Sequence, residues 1–153
     1  MVYRRIVRGV VRDAFEQLNR GNIGGLTDKL AADARHYFIG AHALGGRRSR
    51  PGSIRRWYER LFQLFPDIRF TVHRVDVAGP PWRTLACAYW TETNTGTDGV
   101  RNDNEGVNVI EIRWGKVRRV DIYTDVARLG GTLARLARAG NAAASAPAIV
   151  DPD

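Results

Sequence analysis

The sequence predicts one α+β domain, a cone in which N-terminal helices pack on one face of a strongly curved antiparallel sheet. Three observations predict it. Apolar residues recur at three- and four-residue steps over Tyr3–Asn19 and again after Pro51. From Ile68 onward the period falls to two. Glycine-rich and Gly-Pro turns then join strand after strand without an intervening helix, the order of an α+β rather than a βαβ chain.

The first helix carries Tyr3, Ile6, Val7, Val10, Val11, Ala14, Phe15 and Leu18 on one stripe, and Gly21-Asn22 breaks it. A short helix is expected over Ile23–Leu30, weakened by Gly24-Gly25. Arg35–Ile39 reads as a strand with His36 and Phe38 on one face and Tyr37 on the other, followed by a loop over Ala41–Ser49. Pro51 suits the first turn of the next helix, which Ile54, Trp57, Tyr58, Leu61 and Phe65 make amphipathic and Pro66 closes. The strand over Ile68–Val77 changes phase near His73-Arg74, where a bulge fits. Gly79-Pro80-Pro81 turns the chain into a strand over Arg83–Thr95. Gly106–Arg113 and Val117–Thr124 form a tight hairpin across Trp114-Gly115, an unusual pair where Asn or Asp normally precedes Gly. A last helix over Val126–Arg138 completes a domain at 1–139, and residues 140–153 read as a flexible tail.

Composition narrows the function. The 153 residues hold 24 Lys+Arg against 16 Asp+Glu, a formal charge of +8, and all the basic residues but Lys29 and Lys116 are arginine. The arginines are spread along the chain, and the one dense stretch, Gly46–Arg60, lacks an aromatic-interleaved strand, a glycine-clamped loop or zinc spacing. Nucleic acid is therefore not the expected partner, although this stretch could hold a phosphate or carboxylate. No apolar run is long enough to span a bilayer, and Met1–Val11 lacks the apolar block of a signal peptide. A cytoplasmic protein with no membrane partner is expected. One cysteine, Cys87, excludes a disulfide framework, and three scattered histidines give no metal-ligand spacing.

Several segments resemble a known family. Leu18-Asn19-Arg20-Gly21-Asn22-Ile23 is similar to the bend after the first helix of the SnoaL-like and ketosteroid-isomerase-like superfamily. Leu30-Ala31-Ala32-Asp33-Ala34 resembles its next segment, and Leu64-Phe65-Pro66-Asp67-Ile68 its Phe-Pro-Asp junction. Trp114-Gly115-Lys116-Val117 with Asp121-Ile122-Tyr123-Thr124-Asp125 resembles its closing hairpin and terminal aspartate. The resemblance implies the nuclear-transport-factor-like cone with a deep pocket, a small-molecule ligand, and a homodimer formed through the outer sheet face. It does not carry a catalytic set. The isomerase base aligns with Phe38, the oxyanion tyrosine with Ala14 and the protonated aspartate with Asn108, while the epoxide-hydrolase aspartate aligns with Ile122.

Candidate site residues follow from the strand phases. His36 could act as a base near neutral pH, and His42 could line the pocket mouth. Asn108, alternating with Ile110 and Ile112, could donate to a developing oxyanion. Asp121 is the carboxylate candidate for a base if the last strand bulges; otherwise Val120 and Ile122 face inward and Asp121 outward. Phe15, Phe38, Trp57, Tyr58, Phe62 and Trp90, with Ile110, Val120 and Ile122, supply an apolar wall for a flat ligand. The expected activity is acid–base chemistry, without a cofactor, on a small apolar carbonyl-bearing or polycyclic molecule, as in an isomerase, cyclase or hydrolase. A pocket that binds without turnover is the alternative, with anion or nucleic-acid binding through residues 46–60 behind it.

Overall fold

A computed structural model describes residues Val2–Asp151. The chain order is α1 (Val2–Asn19), α2 (Ile23–Thr27), β1 (Leu30–Phe38), β2 (Gly46–Arg48), α3 (Pro51–Leu64), β3 (Arg69–Ala78), β4 (Thr84–Asn94), β5 (Asn102–Arg113), β6 (Lys116–Thr124) and α4 (Val126–Arg138). A 3-10 turn follows at Ala142–Ser145. The strands form one curved, unclosed sheet in the order β2-β1-β6-β5-β4-β3. β1 runs parallel to β6 and the other ladders are antiparallel, so the sheet is mixed.

The helices bury most of the predicted stripes, but Ile6, expected on the α1 stripe, is exposed because the first turns of α1 extend past the sheet core. Val7, Val11, Phe15 and Leu18 of α1 and Ile54, Trp57, Tyr58, Leu61 and Leu64 of α3 enter a core shared with the inner sheet face. The bulge expected near His73-Arg74 appears as a register shift between Val72 and Arg74, and Arg8 and Arg12 of α1 donate to the carbonyls of Val75 and Val72 on either side of it. Asp67 of the Phe-Pro-Asp junction accepts from the backbone and hydroxyl of Thr95, tying the start of β3 to the end of β4. Asp125 caps α4 by accepting from the Arg128 N–H.

Five segments differ from the sequence reading, among them β5, which begins at Asn102 rather than Gly106 because Asn102–Glu105 continue its pairing with β4. α2 stops at Thr27, and β1 begins at Leu30 because Leu30 pairs with Val117 of β6. Strand pairing thus overrides the helical propensity of Leu30-Ala31-Ala32. The loop before α3 contains β2, which pairs with His36–Phe38. The described part of the expected tail is docked: Arg48 donates to Ile149 O and Arg60 to Pro147 O. Asp151 accepts from Ser49 N, Arg50 N and the Ser53 hydroxyl at the start of α3.

The Trp114-Gly115 turn puts both residues in the left-handed region, with φ 50° at Trp114 and 79° at Gly115. A large L side chain is strained there, while Asn tolerates it. Trp114→Asn is expected to raise the unfolding free energy by about 1 kcal/mol in urea titrations.

Candidate functional site

The inner sheet face is a ladder of side-chain rungs, and their order places the site. His36, Val120, Ile110, Ala86 and Val77 form one rung; Phe38, Ile122, Asn108, Ala88 and Val75 form the next. Beyond them lie Thr124, Gly106 and Trp90, then Asn104, Glu92 and Phe70. The first rung is packed solid. From the second rung outward a cavity of about 60 Å³ remains between the sheet and the helices. Phe15, Phe38, Trp57, Tyr58 and Trp90 line it, together with Ile122 and Asn108. Phe65, Phe70, Glu92, Asn104 and Thr124 complete much of the wall. Gly106 is required here: a Cβ would stand 2.6 Å from a ring carbon of Trp90 and 2.3 Å from Tyr123 O.

Asn108 sits in an oriented state. The Trp90 indole N–H, a donor only, reaches Asn108 Oδ1 at 2.9 Å. The amide oxygen is therefore engaged, and the NH2 of this cavity-lining side chain remains available to donate. Tyr58 is held protonated: burial pushes its phenol up to about 12, against the opposing pull of the Arg48 charge.

Glu92 is the carboxylate of this cavity, and sequence reasoning did not single it out. It follows Thr84, Ala86, Ala88 and Trp90 in strict alternation along β4, all buried, so its phase points inward. Burial pushes its carboxyl up to about 7, offset in part by the Asn94 amide, which donates to Oε2 at 2.9 Å. That amide belongs to a directed chain. Arg135 Nη2 donates to Asn102 Oδ1 at 2.8 Å, Asn102 Nδ2 to Asn94 Oδ1 at 3.0 Å, and Asn94 to Glu92. Because arginine can only donate, both amides are fixed in orientation and present N–H to the carboxylate.

The other proposed acid–base groups lie elsewhere. His36 faces inward but one rung below the cavity, 1% exposed, with its ring tilted 54° against Trp57 and edge-on to Tyr58. Arg48 Nη1 donates to its Nδ1 at 2.5 Å, and burial followed by the Arg48 charge holds the imidazole well below its ordinary range. It is neutral, with the proton on Nε2, and Nε2 has no hydrogen-bond partner. Asp121 is on the outer face in register with Tyr37 and Val109, ion-paired to Arg119 Nε at 2.8 Å; β6 does shift register between Val117 and Arg119, but the pairing from Arg119 to Thr124 is regular and keeps Val120 and Ile122 inward. Ile110 and Val120 are buried core, and Phe62 packs against the core without lining the cavity. His42 clasps its own loop, bonding Ile39 O and accepting from Leu44 N. Among the described residues no group of acids, histidines or cysteine is disposed to hold a metal ion, and no helix is long and apolar enough to cross a membrane.

Known proteins share this architecture. A protein from Burkholderia pseudomallei described as NTF2-like and of unknown function superposes with a TM-score of 0.70 at 19% identity, over 78% of this chain and 91% of its own. AclR from Streptomyces galilaeus, a hydroxylase candidate, gives 0.67 at 19% identity over 86% and 80%. A polyketide cyclase candidate from Xanthomonas campestris gives 0.59 at 19% identity over 78% and 90%. These likenesses establish the NTF2-like cone. No curated protein matches the chain in sequence. The SnoaL-like domain family, however, matches residues 11–120, the span from α1 to the middle of β6. The chain belongs to the SnoaL-like domain family.

Proposed function

We propose that this SnoaL-like domain performs acid–base chemistry, without a cofactor, on a small apolar molecule bearing a carbonyl group. The observation that carries the reading is Glu92: a carboxyl group brought to about 7 in a cavity otherwise walled by aromatic and aliphatic side chains. A group with that affinity for protons exchanges them readily near neutral pH. As a carboxylate it removes a proton beside the carbonyl, and as the acid it returns one. The Asn108 amide and the Tyr58 hydroxyl are the donors available to a developing enolate oxygen. The aromatic wall excludes water and strengthens those interactions.

Glu92, rather than His36 or Asp121, is the base in this reading, because neither of those lines the cavity. Size selects the substrate. A volume of about 60 Å³ admits a molecule of a few heavy atoms, well below the roughly 300–1,000 Å³ of pockets for drug-sized ligands. A polycyclic substrate requires the aromatic wall to move outward. The AclR and Xanthomonas relatives bear hydroxylase and cyclase descriptions, consistent with small-molecule chemistry on this fold. A homodimer through the outer sheet face is part of the reading, supported by partly exposed Leu85, Tyr89 and Tyr123, as is a cytoplasmic setting.

A second reading, binding without turnover, is favoured by Phe38 and Ala14 at the positions where isomerases of this superfamily carry base and donor. One experiment separates the two. Small ketones are incubated with the protein in deuterated buffer and exchange beside the carbonyl is followed by NMR. The acid–base reading expects accelerated exchange that rises with pH and levels off above about 7. Ketones that bind, shown by perturbed protein resonances, yet exchange no faster than in buffer would leave the binding reading standing.

A further inference from the structure

At the end of the sheet remote from the cavity, two tryptophans stand side by side in solvent. Trp82 in the β3–β4 turn is 56% exposed and Trp114 in the β5–β6 turn 68% exposed, with ring centroids 5.8 Å apart. The turns are tied together by Trp114 N–H donating to Pro81 O at 2.8 Å. Trp114 keeps a positive φ that Gly or Asn would adopt without strain, and an outlier of that kind on a surface points to use rather than packing. Arg83, Arg113 and Lys116, the sequence neighbours of the pair, are exposed and form no ion pair among the described residues. The first turn of α1 is pinned beside the same region by the Tyr3–Thr84 hydroxyl contact, and it adds exposed Val2 and Ile6 with Arg4 and Arg5.

We propose that this end of the domain docks on an anionic lipid surface, with Trp82 and Trp114 seated among the headgroups and the flanking cations against lipid phosphates. Indole rings favour that depth, where the ring meets hydrocarbon and the N–H meets water. Basic side chains beside them supply charge complementarity to an acidic leaflet. Peripheral attachment of this kind needs no spanning helix. Single-stranded nucleic acid would also meet aromatic and basic groups, but the geometry disfavours it. The rings lie 40° from parallel and in mutual contact, which leaves no slot for a base between them, and the aliphatic side chains of Val2 and Ile6 offer nothing to a phosphate backbone. The surface is remote from Glu92, so it stands apart from the acid–base reading.

The full chain is sedimented with vesicles of phosphatidylcholine alone and of phosphatidylcholine mixed with phosphatidylglycerol, at low and moderate salt. Association with the mixed vesicles only, weakening as salt rises, is expected. It should be accompanied by a blue shift of tryptophan emission, since Trp57 and Trp90 are already buried and the shift reports the exposed pair. Quenching by acyl-brominated lipid tests the same insertion in the unmodified protein. Trp82→Ala with Trp114→Gly, which also relieves the positive φ, should abolish the shift and most of the association. Arg83→Gln and Arg113→Gln should each weaken association about fivefold, with far-UV circular dichroism unchanged. Absence of association at low salt would overturn the proposal. So would association that survives loss of both tryptophans, or a single-stranded oligonucleotide that quenches the pair while vesicles do not.

Discussion

Glu92→Gln lowers the exchange rate of a bound ketone by about 10²- to 10⁴-fold, the usual worth of a positioned general acid or base. Glutamine retains the size of the side chain and an oxygen for the Asn94 amide, so the cavity wall stays in place while the transferable proton is lost. The same substitution carries a signature in stability that needs no substrate. Burial raises the folded-state value of Glu92 from 4.5 to about 7. A folded state that binds the proton more tightly than the unfolded chain has its full stability below about 4.5, and loses it as the pH climbs through about 7. The unmodified protein should therefore be less stable than Glu92→Gln at pH 8 by up to about 3 kcal/mol, and the gap should close toward pH 4. His36 works in the opposite sense. Its value is depressed, so its contribution is present above 6.5 and is lost on acidification. Because it is common to both proteins, it drops out of the difference. Urea titrations at several pH values read the gap directly. A gap flat with pH would mean that Glu92 is already ionised in the fold, and unchanged exchange would remove it from the chemistry.

Much of the cone was legible because its signals are local and periodic. The stripe Val7, Val11, Phe15 and Leu18, proline at the start of α3, and the phase change near His73-Arg74 each record which side of an element is wet. The candidate site was less legible, for two physical reasons. Glu92 continues the inward phase of Ala86, Ala88 and Trp90, so the alternation of β4 contained the signal. A charged residue ending an apolar phase nevertheless reads as the point where a strand leaves the core. Asp121, by contrast, reads as a strand carboxylate whose face depends on a bulge, and the shift that β6 does carry, between Val117 and Arg119, leaves Val120 and Ile122 inward and Asp121 outside. The second reason is that sequence alternation assigns a face but not a height. His36 and Phe38 share a face, yet one rung separates packed core from cavity wall. The docked tail was beyond reach for a different reason. Two of its anchors are the backbone carbonyls of Pro147 and Ile149, which meet Arg60 and Arg48 and carry no side-chain signature. The third, the Asp151 carboxylate, meets backbone N–H groups and a hydroxyl about 100 residues earlier, a pairing that no local pattern records.

Arg48→Met destabilises the fold by about 3–5 kcal/mol, among the largest effects open to a single substitution here. Its guanidinium is 1% exposed and every arm is engaged: Nε with Ile149 O at 2.8 Å, Nη2 with Gly45 O and Gly46 O at 2.8 and 2.9 Å, and Nη1 with His36 Nδ1. Methionine fills similar volume but satisfies none of them. Three carbonyls and an imidazole nitrogen are left without a donor in a buried site, each at a cost of about 1–3 kcal/mol before water or neighbours relax into place. Desolvation draws the guanidinium down to about 10, still far enough above neutral pH to keep it charged. Burial of that charge, offset only in part by the Asp151 carboxylate, is the opposing term, since removing it recovers some burial penalty. Arg48→Lys separates the two contributions: it keeps the charge but replaces a planar fork by a single ammonium that cannot reach both the glycine loop and the imidazole. If hydrogen bonding dominates, lysine is nearly as destabilising as methionine in urea titrations. If charge burial dominates, methionine comes within 1 kcal/mol of the parent and lysine is the worse of the two. The first outcome has a consequence at the cavity. His36 packs against Trp57, whose ring forms part of the wall and whose N–H holds Leu44 O at 2.8 Å. An imidazole released by loss of Arg48 thus loosens the aromatic wall that defines the volume beside Glu92, and ligand affinity should fall with stability in the same variant.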